Sequence, residues 1–182
     1  MKPRVRILDY GMGNLRSMKR ALECVGADVE LGAEVGGDRL VLPGVGDFAE
    51  AVRHLGSQMD ALRAYRDPML CICLGMHLLF ERSHEHGLTE GLGLLKGEVV
   101  PMSEAQLTVP NMGWHQLHGL GSPFVYFAHS LGVRESEATT ATIEHGGPWV
   151  AAVQHGAVTG FQFHPEKSGN AGLKLLHGWL TS

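Results

Sequence analysis

A single unit recurs three times in the first eighty residues: a short apolar run, a turn, then apolar residues at helical spacing. Residues 5–9 lead through Tyr10-Gly11-Met12-Gly13-Asn14 into Leu15, Met18, Leu22 and Val25, which share one helical face and stop at Gly26. Residues 39–42 lead through Pro43-Gly44-Val45-Gly46 into Phe48, Val52 and Leu55. Residues 69–73 enter Leu74-Gly75-Met76-His77-Leu78-Leu79-Phe80, which predicts a strand feeding a helix, and residues 29–31 supply one more strand. Strands that alternate with helices must pair in parallel, which predicts an α/β layered fold around a mostly parallel sheet. Ligands of such sheets bind beyond the carboxyl ends of the strands, so residues 10–14, 43–46 and Cys73 are predicted to share one rim.

After Gly91 the pattern changes. Residues 97–101, 114–117, 124–127, 138–143, 150–154 and 158–163 are short strand-like runs separated by Gly, Pro, Ser and Asn. They leave no room for helices and are expected to pair mostly as hairpins, an antiparallel section added to the first half. A last helix over 171–180 carries Leu173, Leu176 and Leu180 on one face. No linker, repeat or low-complexity tract interrupts the chain, so one domain over 1–182 is expected.

The net charge is −4 and no run of like charges occurs, which removes the electrostatic footprint of a nucleic-acid or membrane-surface binder. Apolar stretches such as 69–74 fall far short of the roughly 20 residues of a bilayer span. Arg6 and Asp9 interrupt any apolar signal core, so a cytoplasmic location is expected. Three cysteines, Cys24, Cys71 and Cys73, are an odd count that suits free thiols better than a disulfide framework.

Cys73 is the most informative of them. It stands where a strand meets a helix, with Gly75 two positions on, the arrangement of a nucleophile elbow. A helix N-terminus at that point favours the thiolate. A base is offered by His164-Pro165-Glu166. The residue before proline is held extended and the proline φ is fixed, so His164 and Glu166 are expected to project to the same side. One carboxylate then holds one imidazole nitrogen and leaves the other to take a thiol proton: Cys73 as nucleophile, His164 as general base and acid, Glu166 as orienting group. Taken alone, the same residues also allow a small core cysteine and a surface turn. Cys71-x-Cys73 with scattered histidines such as His84 and His86 offers a metal reading, but no ligand pair recurs at zinc-site spacing, and no metal or cofactor is expected.

Cys73-Leu74-Gly75-Met76 together with His164-Pro165-Glu166-Lys167-Ser168 resembles the class I glutamine amidotransferases, whose flavodoxin-like fold carries a Cys-His-Glu triad. More narrowly, residues 9–17, Pro43-Gly44-Val45-Gly46 and Met112-Gly113-Trp114 resemble the glutaminase subunits of imidazole glycerol phosphate synthase, with matching motifs from residue 7 to residue 177. The resemblance implies hydrolysis of L-glutamine to glutamate and ammonia through a cysteinyl thioester. It implies oxyanion donors from Leu74 and the Gly44-Val45 segment, and substrate contacts from Gly46, His77, His129, Ser130 and Leu131. Free ammonia is largely protonated in neutral water, so a dry route to a second active site is implied. In the resembled enzymes that site belongs to a (β/α)8 cyclase subunit, HisF. It converts the phosphoribulosyl formimino intermediate PRFAR to imidazole glycerol phosphate and AICAR in histidine biosynthesis. The implied contacts with that partner are Asn14, Met112, Gly113, Trp114 and Lys167. Glutaminase subunits of other synthases, such as that of pyridoxal phosphate synthesis, share the triad but not the Met112-Gly113-Trp114 context, and a noncatalytic scaffold of the same fold is the remaining alternative.

The chain departs from the family pattern at several positions. His77 stands where a substrate-holding Gln is usual, which implies weaker glutamine binding because imidazole offers fewer simultaneous hydrogen bonds than an amide. Cys71 replaces the usual Gly two positions before the nucleophile, Asn111 and His115 replace the usual residues flanking Met-Gly-Trp, and Leu131 replaces a common Tyr.

Overall fold

Strands whose apolar side chains alternate between two faces require a layer of helices on each face, and the computed structural model, which describes residues 2–102 and 108–182, has that arrangement. The first half runs β1 (Arg4–Leu8), α1 (Leu15–Cys24), β2 (Asp28–Gly32), β3 (Leu40–Leu42), α2 (Phe48–Leu55), α3 (Gln58–Ala64), β4 (Met69–Ile72) and α4 (Leu74–Leu78). Val5, Ile7, Val41, Leu70 and Ile72 join one core with Met18 and Leu22 of α1 and Leu176 and Trp179 near the C-terminus. Leu8, Leu40, Leu42, Met69 and Cys71 join the other with Phe48 and Leu55 of α2. Each fully buried side chain of this size contributes about 1.5–3 kcal/mol of transfer free energy, so the period-two split fixes which helix covers which face.

The second half contributes β5 (Phe80–Ser83), β6 (Thr89–Glu90), β7 (Leu95–Pro101), β8 (Asn111–Gln116), β9 (His118–Gly119), β10 (Phe124–His129), β11 (Leu131–Gly132), β12 (Thr139–Glu144), β13 (Pro148–His155), β14 (Val158–Phe161), a 3-10 turn over Pro165–Lys167, and α5 (Gly169–Leu180). The main sheet has the order β2-β1-β3-β4-β14-β13-β12-β9. Its first five strands pair in parallel and the rest antiparallel. The expected α/β sheet with an antiparallel extension is therefore present. β8 and β10 form a separate antiparallel ribbon, and β11, β7, β5 and β6 form a third sheet.

Three details differ from expectation. The helix after Cys73 ends at Leu78, and Phe80 already opens β5, because the carbonyls of Leu78 and Leu79 accept the N–H groups of Leu92 and Leu95. Helix α3 was not expected: only Met59 and Leu62 of its residues are buried, too few to imprint a period on the sequence, and Ser57 before it makes no side-chain cap. β14 is the hairpin partner of β13, as expected, but also lies parallel to β4 with Phe161 opposite Ile72, a pairing that local pattern does not encode. No helix of the described residues is long and apolar enough to cross a membrane.

Candidate active site

Because β4 and β14 are parallel neighbours, the residues that follow them leave the sheet at the same end. Cys73 follows Ile72 directly, and its backbone N–H donates to Phe161 O at 2.7 Å. It adopts φ 51° and ψ −108°, a left-handed turn that a non-glycine residue takes only where the surroundings hold it. Holding it are Gly75, where a Cβ would overlap the Leu42 carbonyl, and Gly44, where a Cβ would lie 2.7 Å from Tyr10 Oη and 2.9 Å from Leu74 Cβ. The Tyr10 hydroxyl donates to Pro43 O at 2.7 Å, so the Pro43–Gly46 loop is fastened against the elbow. This close approach is why glycine stands at both positions.

His164 is 3% exposed. Its backbone N–H donates to Tyr126 O at 2.9 Å, and its carbonyl accepts Ser168 Oγ at 2.7 Å. Ser168 Oγ also accepts the Tyr126 N–H at 2.9 Å, so one hydroxyl ties the His164 segment to β10 from both sides. His164 Nδ1 faces Glu166 Oε1 at 2.9 Å. A carboxylate only accepts, so Nδ1 carries the proton and Nε2 is left for Cys73. Burial opposes the charged imidazole, but hydrogen bonds to Cys73 and Glu166 and their negative charge outweigh it, and the His164 pKa is raised to about 9. The other Glu166 oxygen is buried without a partner among the described residues.

Beside this pair opens a cleft lined by Val45, Gly46, Cys73, Leu74, His77, Glu85, Pro110, Met112, Ala128, His129, Ser130 and Leu131. It contains every residue expected to contact substrate. Gly44, His164 and Glu166 are not among the lining residues. His129 Nδ1 donates to Leu131 O at 2.6 Å and its Nε2 accepts Asn111 Nδ2 at 3.0 Å; burial holds His129 neutral, with a pKa lowered to about 3. Asn111 Oδ1 in turn lies 2.7 Å from His115 Nε2, so the two departures from the family pattern bond each other. Burial also lowers the His77 pKa, to about 4.

Of the predicted partner-facing residues, Met112 and Trp114 are exposed by 64% and 55%, and Phe124 across the ribbon by 57%. Trp114 meets Tyr126 edge-on at 6.0 Å, and Lys167 Nζ stands 5.9 Å from the same ring. Asn14 is exposed and caps α1 by accepting the Ser17 N–H. Met112, which also lines the cleft, thus belongs to a ribbon that exposes three large apolar side chains.

Sequence reasoning missed Glu85, the one acidic residue of the cleft lining among the described residues, because it lies twelve positions past Cys73 in a stretch without motif character. It also assigned nothing to Gln162, whose amide nitrogen lies 3.7 Å from Cys73 Sγ. Among the described residues one group has metal-compatible spacing, Asp47, Glu85 and His86, and it includes neither Cys71 nor Cys73. Two of its carboxylates already accept backbone N–H groups, from Glu50 and Phe48. Cys71 is wholly buried in an apolar layer and burial pushes its thiol far above the ordinary range, the behaviour of a packing residue.

The family model of class I glutamine amidotransferases matches residues 6–178. The chain is 45% identical to the imidazole glycerol phosphate synthase subunit HisH of Exiguobacterium sibiricum over 96% of this chain and 93% of that protein. It is 42% identical to HisH of Aquifex aeolicus, over 97% and 95%. Among solved structures, a glutamine amidotransferase superposes with TM-score 0.77 at 21% identity, covering 98% of this chain and 99% of the other. PurLQS from Thermotoga maritima superposes with TM-score 0.73 at 20% identity, covering 100% and 98%.

Proposed function

Because the chain belongs to the class I glutamine amidotransferase family, with relatives throughout its length among the HisH subunits, we propose that it is the glutaminase subunit of an imidazole glycerol phosphate synthase. The observation that carries this reading is the placement of His164 between Glu166 and Cys73 at the end of two parallel strands.

The reaction follows from that placement. His164 Nε2 holds the Cys73 thiol proton, and Sγ attacks the side-chain carbonyl carbon of glutamine. The C–O electrons move onto oxygen, where the N–H of Leu74 and one from Gly44-Val45 act as donors; losing one such donor raises a barrier by about 3–4 kcal/mol. When the tetrahedral species collapses, the C–N bond breaks and His164 passes its proton to the departing nitrogen, giving ammonia and a thioester. Water, deprotonated by His164, then attacks the thioester carbon, the C–S bond breaks, and glutamate leaves with the thiolate restored. Glu85 supplies the negative charge that the substrate ammonium requires, and the His129–Leu131 wall holds its other end.

Ammonia then passes to the cyclase, HisF, docked over Asn14, Met112, Gly113, Trp114 and Lys167, in the cytoplasm. The test is glutamine turnover by the purified chain with and without the cyclase and its ligand. Turnover is expected to be low alone, to rise strongly in the complex, and to vanish in Cys73→Ala. Turnover that survives Cys73→Ala sinks the nucleophile assignment; a chain that ignores the cyclase sinks the partner.

A further inference from the structure

Gln162 is wholly buried, and its side-chain amide bridges two groups that stand one helical turn apart on α4. Its Oε1 lies 2.6 Å from His77 Nε2, and its Nε2 lies 3.7 Å from Cys73 Sγ. Cys73 and His77 are themselves joined by the His77 N–H to Cys73 O bond of 3.0 Å, and the Gln162 N–H is pinned to Ala151 O at 2.9 Å. Both ends of the amide are thus attached to the elbow while its backbone is fixed to the sheet.

The two ends of an amide are chemically opposite: the nitrogen only donates and the oxygen only accepts. Which end meets the sulfur therefore decides whether the contact favours or opposes a thiolate. A donor at sulfur stabilises the anion; an oxygen lone pair there repels it. We propose that Gln162 is a positioning residue that donates its amide N–H to Cys73 Sγ, and that His77 sets this orientation by donating from Nε2 to Gln162 Oε1. The inference rests on the reading of Cys73 as nucleophile. Were the His77 proton on Nδ1 instead, its Nε2 would accept, the amide would turn over, and its oxygen would face the sulfur. Burial keeps the ring neutral at working pH, so only one nitrogen carries a proton, and the 2.6 Å separation from a carbonyl oxygen assigns it to Nε2. His77 thereby gains a task beyond lining the cleft. His164, on the segment following β14, is the other titratable side chain bonded to the sulfur, and its share is common to all variants below.

The test is the pH profile of alkylation of Cys73 by iodoacetamide in the full chain, read by mass spectrometry of the Cys73 peptide, with exposed Cys24 replaced by Ser. The midpoint is expected to rise by roughly one pH unit in Gln162→Leu, which lowers the rate about tenfold at pH values below both midpoints. It is expected to rise in His77→Leu as well, and to lie nearer the parent in His77→Gln, which keeps an N–H donor at that position. Glutamine turnover should lose kcat more than KM in Gln162→Leu. A Gln162→Leu profile that superimposes on the parent, in protein with the parent's cooperative melting transition, overturns the donor role. A His77→Leu midpoint equal to the parent's overturns the orienting role and serves also if Gln162→Leu does not fold. Failure of the nucleophile reading shows itself separately, as glutamine turnover that persists in Cys73→Ala.

Discussion

Glu166 touches His164 through one oxygen, and in the proposed reaction its share is to fix the ring's proton on Nδ1 and to neutralise the imidazolium as it forms. Glu166→Gln keeps the shape but offers an amide that can present a donor to Nδ1 and reverse the tautomer. The expected outcome is a kcat lower by roughly 10²–10⁴-fold with KM little changed, measured by glutamate release in the presence of the cyclase. A loss confined to KM would remove the orienting role. At Glu85 the opposite split is expected, because an ammonium-binding carboxylate acts on ground state and transition state alike. Glu85→Gln should raise KM roughly tenfold or more while kcat falls far less. The His164–Glu166 pairing and the turn at Cys73 were readable in the sequence because proline restricts the first geometry and a strand-to-helix junction marks the second. The placement of Glu85 in the cleft and of Gln162 beside Cys73 was not, since both depend on neighbours brought close by folding.

At the scale of elements, the elbow depends on close approach between α4 and β3. Gly75 leaves no room for a methyl beside the Leu42 carbonyl, which is backbone and cannot swing aside. Gly75→Ala must therefore displace the start of α4 or bend β3, at a cost of about 1–3 kcal/mol, visible as a lower thermal midpoint. Because the displacement moves Cys73 and Leu74 together, turnover should fall further than the stability loss alone accounts for; a variant that melts lower but turns over normally would show that the elbow tolerates the shift. The first three strand-turn-helix units were legible because each repeats the same local grammar. The end of α4 was not: Leu78 and Leu79 satisfy a helical period, but their carbonyls are claimed by Leu92 and Leu95 from a distant loop. Helix α3, with two buried residues, carries too weak a period to be read.

For the molecule as a whole, two histidines buried neutral tie stability to pH. His77 and His129 have pKa values lowered to about 4 and about 3, against 6.5 when exposed. Below pH 6.5 the unfolded chain takes up a proton at each while the folded chain does not. Stability therefore falls on acidification, by up to about 1.4 kcal/mol per pH unit for each histidine, until the folded-state values are reached. His164 acts in the other direction: its raised pKa stabilises the fold below pH 6.5, and that contribution is lost as pH climbs through about 9. Urea unfolding between pH 6.5 and 4.5 should give a slope against pH that is shallower by about one proton in His77→Gln; equal slopes would mean that the ring titrates normally in the folded state.

The order of residues alone was enough to read the layered α/β architecture, the elbow at Cys73, the rim on which the turns gather, and the family to which the chain belongs. Each is written in short-range information: apolar period, glycine at crowded turns, proline beside His164. That β14 lies parallel against β4, and with it that two groups ninety-one residues apart in the chain emerge at one end of the sheet, came from the assembled fold. Strand pairing is chosen by the burial of both faces at once, a property of the assembled layers rather than of any one segment. The same holds for Gln162 between His77 and Cys73, since an amide's partners are set by whichever elements pack around it.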